Sequence, residues 1–386
     1  MKVGLIGHGK MGRGIVSLLG AEPFDLTVLV RTPEKAAAGN AQIQARFERS
    51  VRHGFISPEQ GAERRRAIRF SSERGSLADR GLVLECLPED EKTKTDMLGG
   101  LESVVSADAV LATNTSSLSI ERLARSLRRP QNFCGLHFFH PVPLTRVIEL
   151  IRGSATSPTA LDVALRFVRA TGRTPVVVKD GPGSVINGAI SLFYVEGLRL
   201  VAEGCALPSR VDRIAGTLCR VGPCESLDII GLGFFLDMFE RTGAVKPPHW
   251  ELPPLVEALV SRGRRGRSTS AGLYRYDQDR PVDEDRSFYA NGSGTESSDE
   301  AIGERLRAAL ITGFAVVVAR GLAAPDELDA GMADVLGMTA GPLELIRALG
   351  PGGLAGFMNA LRANEGTRFD PGLAYAMESG PSPAGA

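Results

Sequence analysis

Hydrophobic residues follow two different rhythms along this chain. Through the first 180 residues they form short unbroken runs: Val3-Gly4-Leu5-Ile6, Leu26-Thr27-Val28-Leu29-Val30, Gly81-Leu82-Val83-Leu84, Ala109-Val110-Leu111-Ala112, Arg146 to Ile151 and Pro175-Val176-Val177-Val178. Runs of this length without polar alternation predict strands buried on both faces, as in a parallel sheet. Residues 13 to 20 read as a helix, as does Ile120 to Leu127. Residues 33 to 66 read as a hairpin of helices broken near Gly54-Phe55-Ile56-Ser57-Pro58. Lys179-Asp180-Gly181-Pro182-Gly183 is a turn rich in breakers, and past it the period becomes helical. Ile190, Phe193, Tyr194, Gly197, Leu198 and Val201 share one helix face there, so a domain boundary falls at 180/181.

The helical half repeats itself. Glu203-Gly204-Cys205-Ala206-Leu207-Pro208, Asp212, Gly222-Pro223 and Gly231 are echoed by Arg320-Gly321-Leu322-Ala323-Ala324-Pro325, Asp329, Gly341-Pro342 and Gly350, with two residues inserted before the second Gly-Pro. This divides the second half into 181–277, a polar linker 278–298 and 299–377, with 378–386 expected to be a disordered tail. The basic run Arg262 to Arg267 reads as a solvated, mobile surface in preference to a phosphate contact.

Composition narrows the function classes. Lys plus Arg and Asp plus Glu both total 45, so no net field draws nucleic acid or an anionic membrane. Seven Lys against thirty-eight Arg, with abundant Gly, point to a GC-rich bacterial genome. The five cysteines are scattered without a Cys-x-x-Cys pair, which predicts reduced thiols and no metal site. Met1-Lys2 leads directly into the first strand, and no later apolar run approaches a membrane span, so a cytoplasmic protein is expected.

The first strand runs into Gly7-His8-Gly9-Lys10-Met11-Gly12, a G-x-G-x-x-G between a strand and a helix and followed by a second strand. Glycines there permit a tight turn and close approach of a pyrophosphate, whose charge meets free N–H groups at a helix N-terminus. The fold class expected is an α/β Rossmann-type dinucleotide-binding domain (1–180) followed by an all-α domain in two repeats. After the second strand, where NAD enzymes place a carboxylate for the ribose 2′-hydroxyl, this chain has Arg31-Thr32; a guanidinium and a hydroxyl suit a 2′-phosphate, so NADP is the expected cofactor and NAD the alternative. Asn114-Thr115-Ser116-Ser117 ends another strand at the same sheet edge, one serine expected to cap the helix at Ile120 and the other free for a ligand. Gly135-Leu136-His137-Phe138-Phe139-His140-Pro141-Val142-Pro143 reads as a rigid apolar corner holding two of the five histidines, with Glu149 twelve positions after the first: an acid/base pair or a hydrogen-bonded core histidine.

Taken in order, these motifs resemble the L-3-hydroxyacyl-CoA dehydrogenase family over nearly the whole chain: the glycine loop, Glu85 to Lys94 (E-A-x-x-E-x-x-x-x-K in the family), Asn114 to Leu118, Gly135 to Pro143, Glu149, Asp180-x-Pro182-Gly183, Asn187 and Gly222-Pro223. The duplicated helical unit looks like that of the longer members. The resemblance implies that His137 is the general acid/base, Glu149 its orienting carboxylate, and Ser116 and Asn187 ligands of the substrate oxygen. It also implies cofactor contacts from Gly7, Gly9, Lys10, Met11, Gly12, Glu89, Lys94 and Asn114, besides Arg31 and Thr32. The substrate implied is a 3-hydroxyacyl thioester on CoA or a carrier protein.

Departures from the family pattern are informative. His140 stands for Asn beside the acid/base histidine and is the expected specificity determinant. Ser184 and Gly188 stand for Phe and Arg, and Arg31 for the acidic ribose residue. In the second repeat Glu304 and Arg347 replace Asn187 and Asp228, which makes that copy structural and favours a monomer or a homodimer of another kind. Two other readings compete: a relative acting on a non-thioester hydroxy acid such as a sugar acid, and a non-catalytic sensor of NADP(H) or an acyl thioester. Joint retention of Ser116, His137, Glu149 and Asn187 favours the enzyme.

Overall fold

A computed structural model describes residues 1–181, 183–241, 247, 249–284, 297–366 and 368–369. The expected tail 378–386 and most of the expected linker lie outside them. Two compact units are present, Met1–Asp180 and Gly181–Ala386.

The first unit is one eight-stranded sheet with helices between its strands. In chain order it contains β1 (Lys2–Ile6), α1 (Lys10–Leu19), β2 (Asp25–Leu29), α2 (Pro33–Arg52), α3 (Pro58–Ala67), β3 (Ile68–Ser71), β4 (Leu82–Glu85), α4 (Glu91–Leu101), β5 (Val110–Thr113), α5 (Ile120–Ala124), β6 (Phe133–Phe138), β7 (Val147–Arg152), α6 (Pro158–Ala170) and β8 (Thr174–Lys179). The strand order is β3-β2-β1-β4-β5-β6-β7-β8; β7 and β8 run antiparallel to the other six. Chain order reverses between β1 and β4, and a ligand belongs at the carboxyl ends of strands flanking such a switch point.

Local chemistry places the helix starts. Thr32 caps α2 by accepting from the Lys35 N–H, with Pro33 at the first helical position; Ser57 and Gln60 form a capping box on α3, again followed by proline. The cap of α5 is Ser119, which accepts from Arg122 N–H, and not one of the serines at 116 and 117 as expected. Asp180 reinforces it by accepting from Ser119 Oγ and from the N–H groups of Ile120 and Glu121. The expected corner at Gly135 is in fact the middle of β6. Every residue of that strand is buried, so it carries no period-2 signal of its own.

The second unit comprises α7 (Val185–Ala202), α8 (Pro208–Ala215), α9 (Pro223–Ile230), α10 (Leu232–Arg241), α11 (Leu255–Ser261), β9 (Tyr274–Asp277), β10 (Arg280–Glu284), α12 (Asp299–Ala319), α13 (Pro325–Leu336), α14 (Pro342–Ala348) and α15 (Gly353–Glu365). The two long helices α7 and α12 pack against each other closely enough that a Cβ on Gly313 would lie 2.0 Å from the Ala189 carbonyl oxygen. In both repeats a carboxylate caps the helix begun by Gly-Pro: Asp212 accepts from Cys224 N–H, and Asp329 from Leu343 N–H. Gly222 and Gly341 permit this, because a Cβ on either would lie 2.3 Å from that carboxylate.

Three expectations change here. The unit is not wholly helical, since β10, in the stretch read as linker, pairs antiparallel with β9. Arg264, expected on a mobile surface, is buried and donates from Nε and Nη2 to the Gly272 carbonyl. Helix α7 is apolar and long enough to cross a membrane by composition, yet 15 of its 18 residues are buried within the unit, so it is read as a core helix.

Tyr274 joins two buried carboxylates: its N–H donates to Asp228 and its hydroxyl to Asp212. Burial pushes both carboxyls up to about 6 from 3.8. The folded state therefore holds these protons more tightly than the unfolded chain, and stability falls as pH rises through 6. Denaturant unfolding of this unit should show a loss of about 1 to 2 kcal/mol between pH 5.5 and 7.5, roughly halved in Asp228→Asn.

Candidate active site

At the switch point, Gly7 adopts φ +95°, and a Cβ there would lie 2.7 Å from the Cys86 carbonyl oxygen; one on Gly12 would lie 2.2 Å from the Gly7 oxygen. Only glycine fits either position. Gly9 faces open space, and as the N-cap of α1 it offers no side-chain cap. The first N–H groups of that helix are thus left for an anion, a cradle that fits a dinucleotide pyrophosphate. Lys10 is exposed and Met11 half-buried beside it; Arg31 is exposed at the end of β2, and the Thr32 hydroxyl is engaged by its cap.

Glu89 and Lys94 hold a neighbouring loop. Glu89 Oε1 accepts from the Thr115 hydroxyl at 2.6 Å, the N–H groups of Ser116 and Ser117 at 2.9 and 2.8 Å, and the Ser117 hydroxyl at 3.0 Å. Its other oxygen faces Lys94 Nζ at 3.4 Å. Burial pushes this carboxyl up, but the Lys94 charge and the loop donors outweigh it and hold the group below its ordinary value. Lys94 itself is buried and bonded to both oxygens of Glu85, which also accepts from Thr113 Oγ1 at 2.6 Å. The loop then reaches the acid/base pair, because Asn114 Oδ1 accepts from Phe138 N–H, next to His137. Removing the carboxylate in Glu89→Ala leaves those donors unpaired, and misplacement of Ser116 should lower kcat by roughly tenfold to a hundredfold with a smaller change in cofactor KM. A change confined to cofactor KM would show instead that Glu89 acts on the nucleotide.

His137 and Glu149 are brought together by antiparallel pairing of β6 with β7, where they stand directly opposite. His137 Nδ1 lies 3.0 Å from Glu149 Oε2; the histidine is 4% exposed and the glutamate 0%. Phe139 packs edge-on against the imidazole at 4.5 Å. Assigning the proton to Nδ1, where it can donate to the carboxylate, leaves Nε2 free to take or give one. The turn after β6 abuts helix α1, since a Cβ on Gly14 would lie 2.9 Å from Val142. His140, in that turn, has an exposed side chain; the protein that shields it and the Lys10 charge lower its pKa from the usual imidazole value.

Asn187 belongs to the second unit, in the first turn of α7, where its N–H donates to the Ser184 hydroxyl that caps the helix. Ser184 at the position of the family's Phe is thus accounted for as an N-cap. Glu85, the Thr115 hydroxyl and His8, whose ring packs on Phe70, were not foreseen as parts of the site, although their places within the quoted motifs were visible.

A glycine loop at the switch point of the sheet and a carboxylate-backed histidine on β6 of the same sheet fit a dinucleotide-binding oxidoreductase. Comparison with known proteins narrows the class. The family model described as the 3-hydroxyacyl-CoA dehydrogenase NAD-binding domain matches residues 2–181, and that of the 3-hydroxyacyl-CoA dehydrogenase C-terminal domain matches residues 183–276 and 302–379. This chain belongs to the 3-hydroxyacyl-CoA dehydrogenase family. A 3-hydroxybutyryl-CoA dehydrogenase of Mycobacterium tuberculosis is 32% identical over 283 residues, covering 71% of this chain and 98% of that protein. The crystal structure of (S)-3-hydroxybutyryl-CoA dehydrogenase from Ralstonia eutropha superimposes with a TM-score of 0.67 at 29% identity over 72% of this chain and 99% of that one. That of the Escherichia coli 3-hydroxybutyryl-CoA dehydrogenase gives 0.85 at 20% identity over 98% of both chains, a likeness of fold that extends through both repeats.

Proposed function

We propose that this chain interconverts 3-hydroxyacyl and 3-oxoacyl thioesters, carried on CoA or a carrier protein, with NADP(H). The carrying observation is the buried His137–Glu149 pair at 3.0 Å on the sheet that also carries the glycine-loop cradle. In the oxidative direction His137 Nε2 takes the proton of the C3 hydroxyl, and Glu149 steadies the imidazolium that forms. In reduction the same nitrogen returns the proton to the oxygen formed from the C3 carbonyl. The bound nicotinamide supplies the hydride chemistry. Ser116, its loop held by Glu89, and Asn187 are assigned to the substrate oxygen, where charge develops.

Arg31 at the ribose end of β2 supports NADP(H), because a guanidinium pairs with a phosphate that a carboxylate would repel. Initial rates with acetoacetyl-CoA should favour NADPH over NADH, and Arg31→Asp should reduce that preference by about tenfold to a hundredfold. NADH clearly outperforming NADPH with the unaltered protein removes the cofactor clause; absence of any rate on acyl thioesters removes the substrate clause. Close packing of α12 on α7 supports a chain whose second repeat takes the place of a partner subunit, so gel filtration should give a monomer.

A further inference from the structure

We propose that His8, the residue between the first two glycines of the loop, is a second determinant of the nucleotide's ribose end, donating with Arg31 to a 2′-phosphate. This rests on the NADP(H) reading above and extends it from one residue to a two-residue subsite.

The placement of the imidazole carries the argument. His8 follows β1, yet its ring packs edge-on against Phe70 of β3, with centroids 4.8 Å apart and planes at 78°. Strand β2 lies between β1 and β3, and Phe70 pairs with Val28 of β2. The two rings therefore meet over β2 near its carboxyl end, the end at which the chain leaves the sheet towards Arg31. Phe70 is a fixed platform: its N–H donates to Asn40 Oδ1 at 2.8 Å and its carbonyl accepts from Asn40 Nδ2 at 3.1 Å. α2 also closes on its ring, because a Cβ on Gly39 would lie 2.3 Å from it.

The surroundings suit an anion. Among the described residues, neither ring nitrogen of His8 nor the Arg31 guanidinium has a hydrogen-bond partner. Helix α2 starts two residues past Arg31, and the N-terminal end of a 20-residue helix adds partial positive charge to the same corner. Arg13 on α1 is close enough to act on the imidazole, and burial, followed by that arginine, lowers the His8 pKa. A neutral ring still donates through one N–H. The carboxylate in the first turn of α2, Glu34, is exposed and hydrogen-bonded to Thr32. A hydroxyl at the ribose 2′ position would give this corner one neutral acceptor; a phosphate gives it three acceptor oxygens that share a charge of about −1.5 to −2.

The test is fluorescence titration of NADPH and NADH with the full chain and with His8→Ala, His8→Asn and Arg31→Ala. The expected result is about tenfold weaker NADPH binding in His8→Ala, with NADH binding changed by less than roughly twofold. His8→Asn, whose amide is a shorter donor, should fall between. NADH binding doubles as the check that each variant is folded. Equal weakening for both nucleotides would mean that His8 only supports the glycine loop, and no weakening for either would equally overturn the proposal. Wild-type preference for NADH would instead overturn the NADP(H) reading itself, whereas NADPH preference lost in Arg31→Ala but kept in both His8 variants would overturn only the role of His8.

Discussion

Replacing His137 with alanine is expected to lower kcat by about two to four orders of magnitude while binding of the nicotinamide cofactor persists. In the function proposed above the imidazole exchanges the C3 hydroxyl proton, and Glu149, at 0% exposure, acts only through it. Nothing in the glycine loop depends on the His137 side chain, so cofactor titration should give a Kd near that of the unaltered protein. Truncation does take the His137 contact away from the buried Glu149, which lowers stability; His137→Gln, which keeps a donor in place, separates that effect from the chemistry. Parallel rate measurements on the two variants decide the matter. A rate within tenfold of the unaltered protein in both would exclude His137 as the acid/base, and loss of cofactor binding in both would point to a structural role.

The second large effect concerns the joint between the helical repeats. Glu196 of α7 is 0% exposed and accepts from Arg305 Nε of α12 at 2.6 Å and from Arg368 Nε and Nη2 at 3.2 and 3.0 Å. Arg305 also meets Glu203 at 2.8 Å and Glu365 at 3.1 Å, and burial is outweighed by Glu196 and Glu203 so that its pKa is raised. Neutralising the central carboxylate in Glu196→Gln leaves two buried guanidinium groups short of charge. The expected cost is about 3 to 5 kcal/mol, because breaking a buried pair strands its partners where water cannot reach them. For a unit of this size that corresponds to a fall in Tm of roughly 6 to 20 °C. Scanning calorimetry would read it, and a shift below about 2 °C would show that Glu203 and Glu365 suffice to hold both arginines.

Periodicity and motif order carried much of the first unit. The glycine loop, β1, β2, β4, β5, β7 and β8 were legible because each is a short apolar run with breakers at its ends. β3 was not, since Ile68-Arg69-Phe70-Ser71 is too short and too polar to stand apart from the helices before it. β6 was hidden by the prolines and histidines that follow it. β10, at Arg280–Glu284, carries three charged residues and a proline and reads as linker until its pairing with β9 is seen. Arg264 was misread because a run of arginines looks solvated, while the carbonyl that binds it is set by the fold of residues 264–274.

What the sequence determined by itself is therefore what local chemistry can encode: strand or helix from period, tight turns from glycine and proline, the duplication from spacing, and the family from the order of its motifs. Tertiary structure alone decided which side chains meet. His137 and Glu149 are twelve residues apart and share a face only because β7 turns back antiparallel along β6 in one register. Glu89 is a surface-like acidic residue in the sequence, and only the fold brings residues 115–117, more than 25 positions later, onto one of its oxygens. His8 reaches Phe70 across an intervening strand. Such pairings depend on register and strand order, which are fixed by the burial of the whole sheet and leave no mark within a window of a few residues.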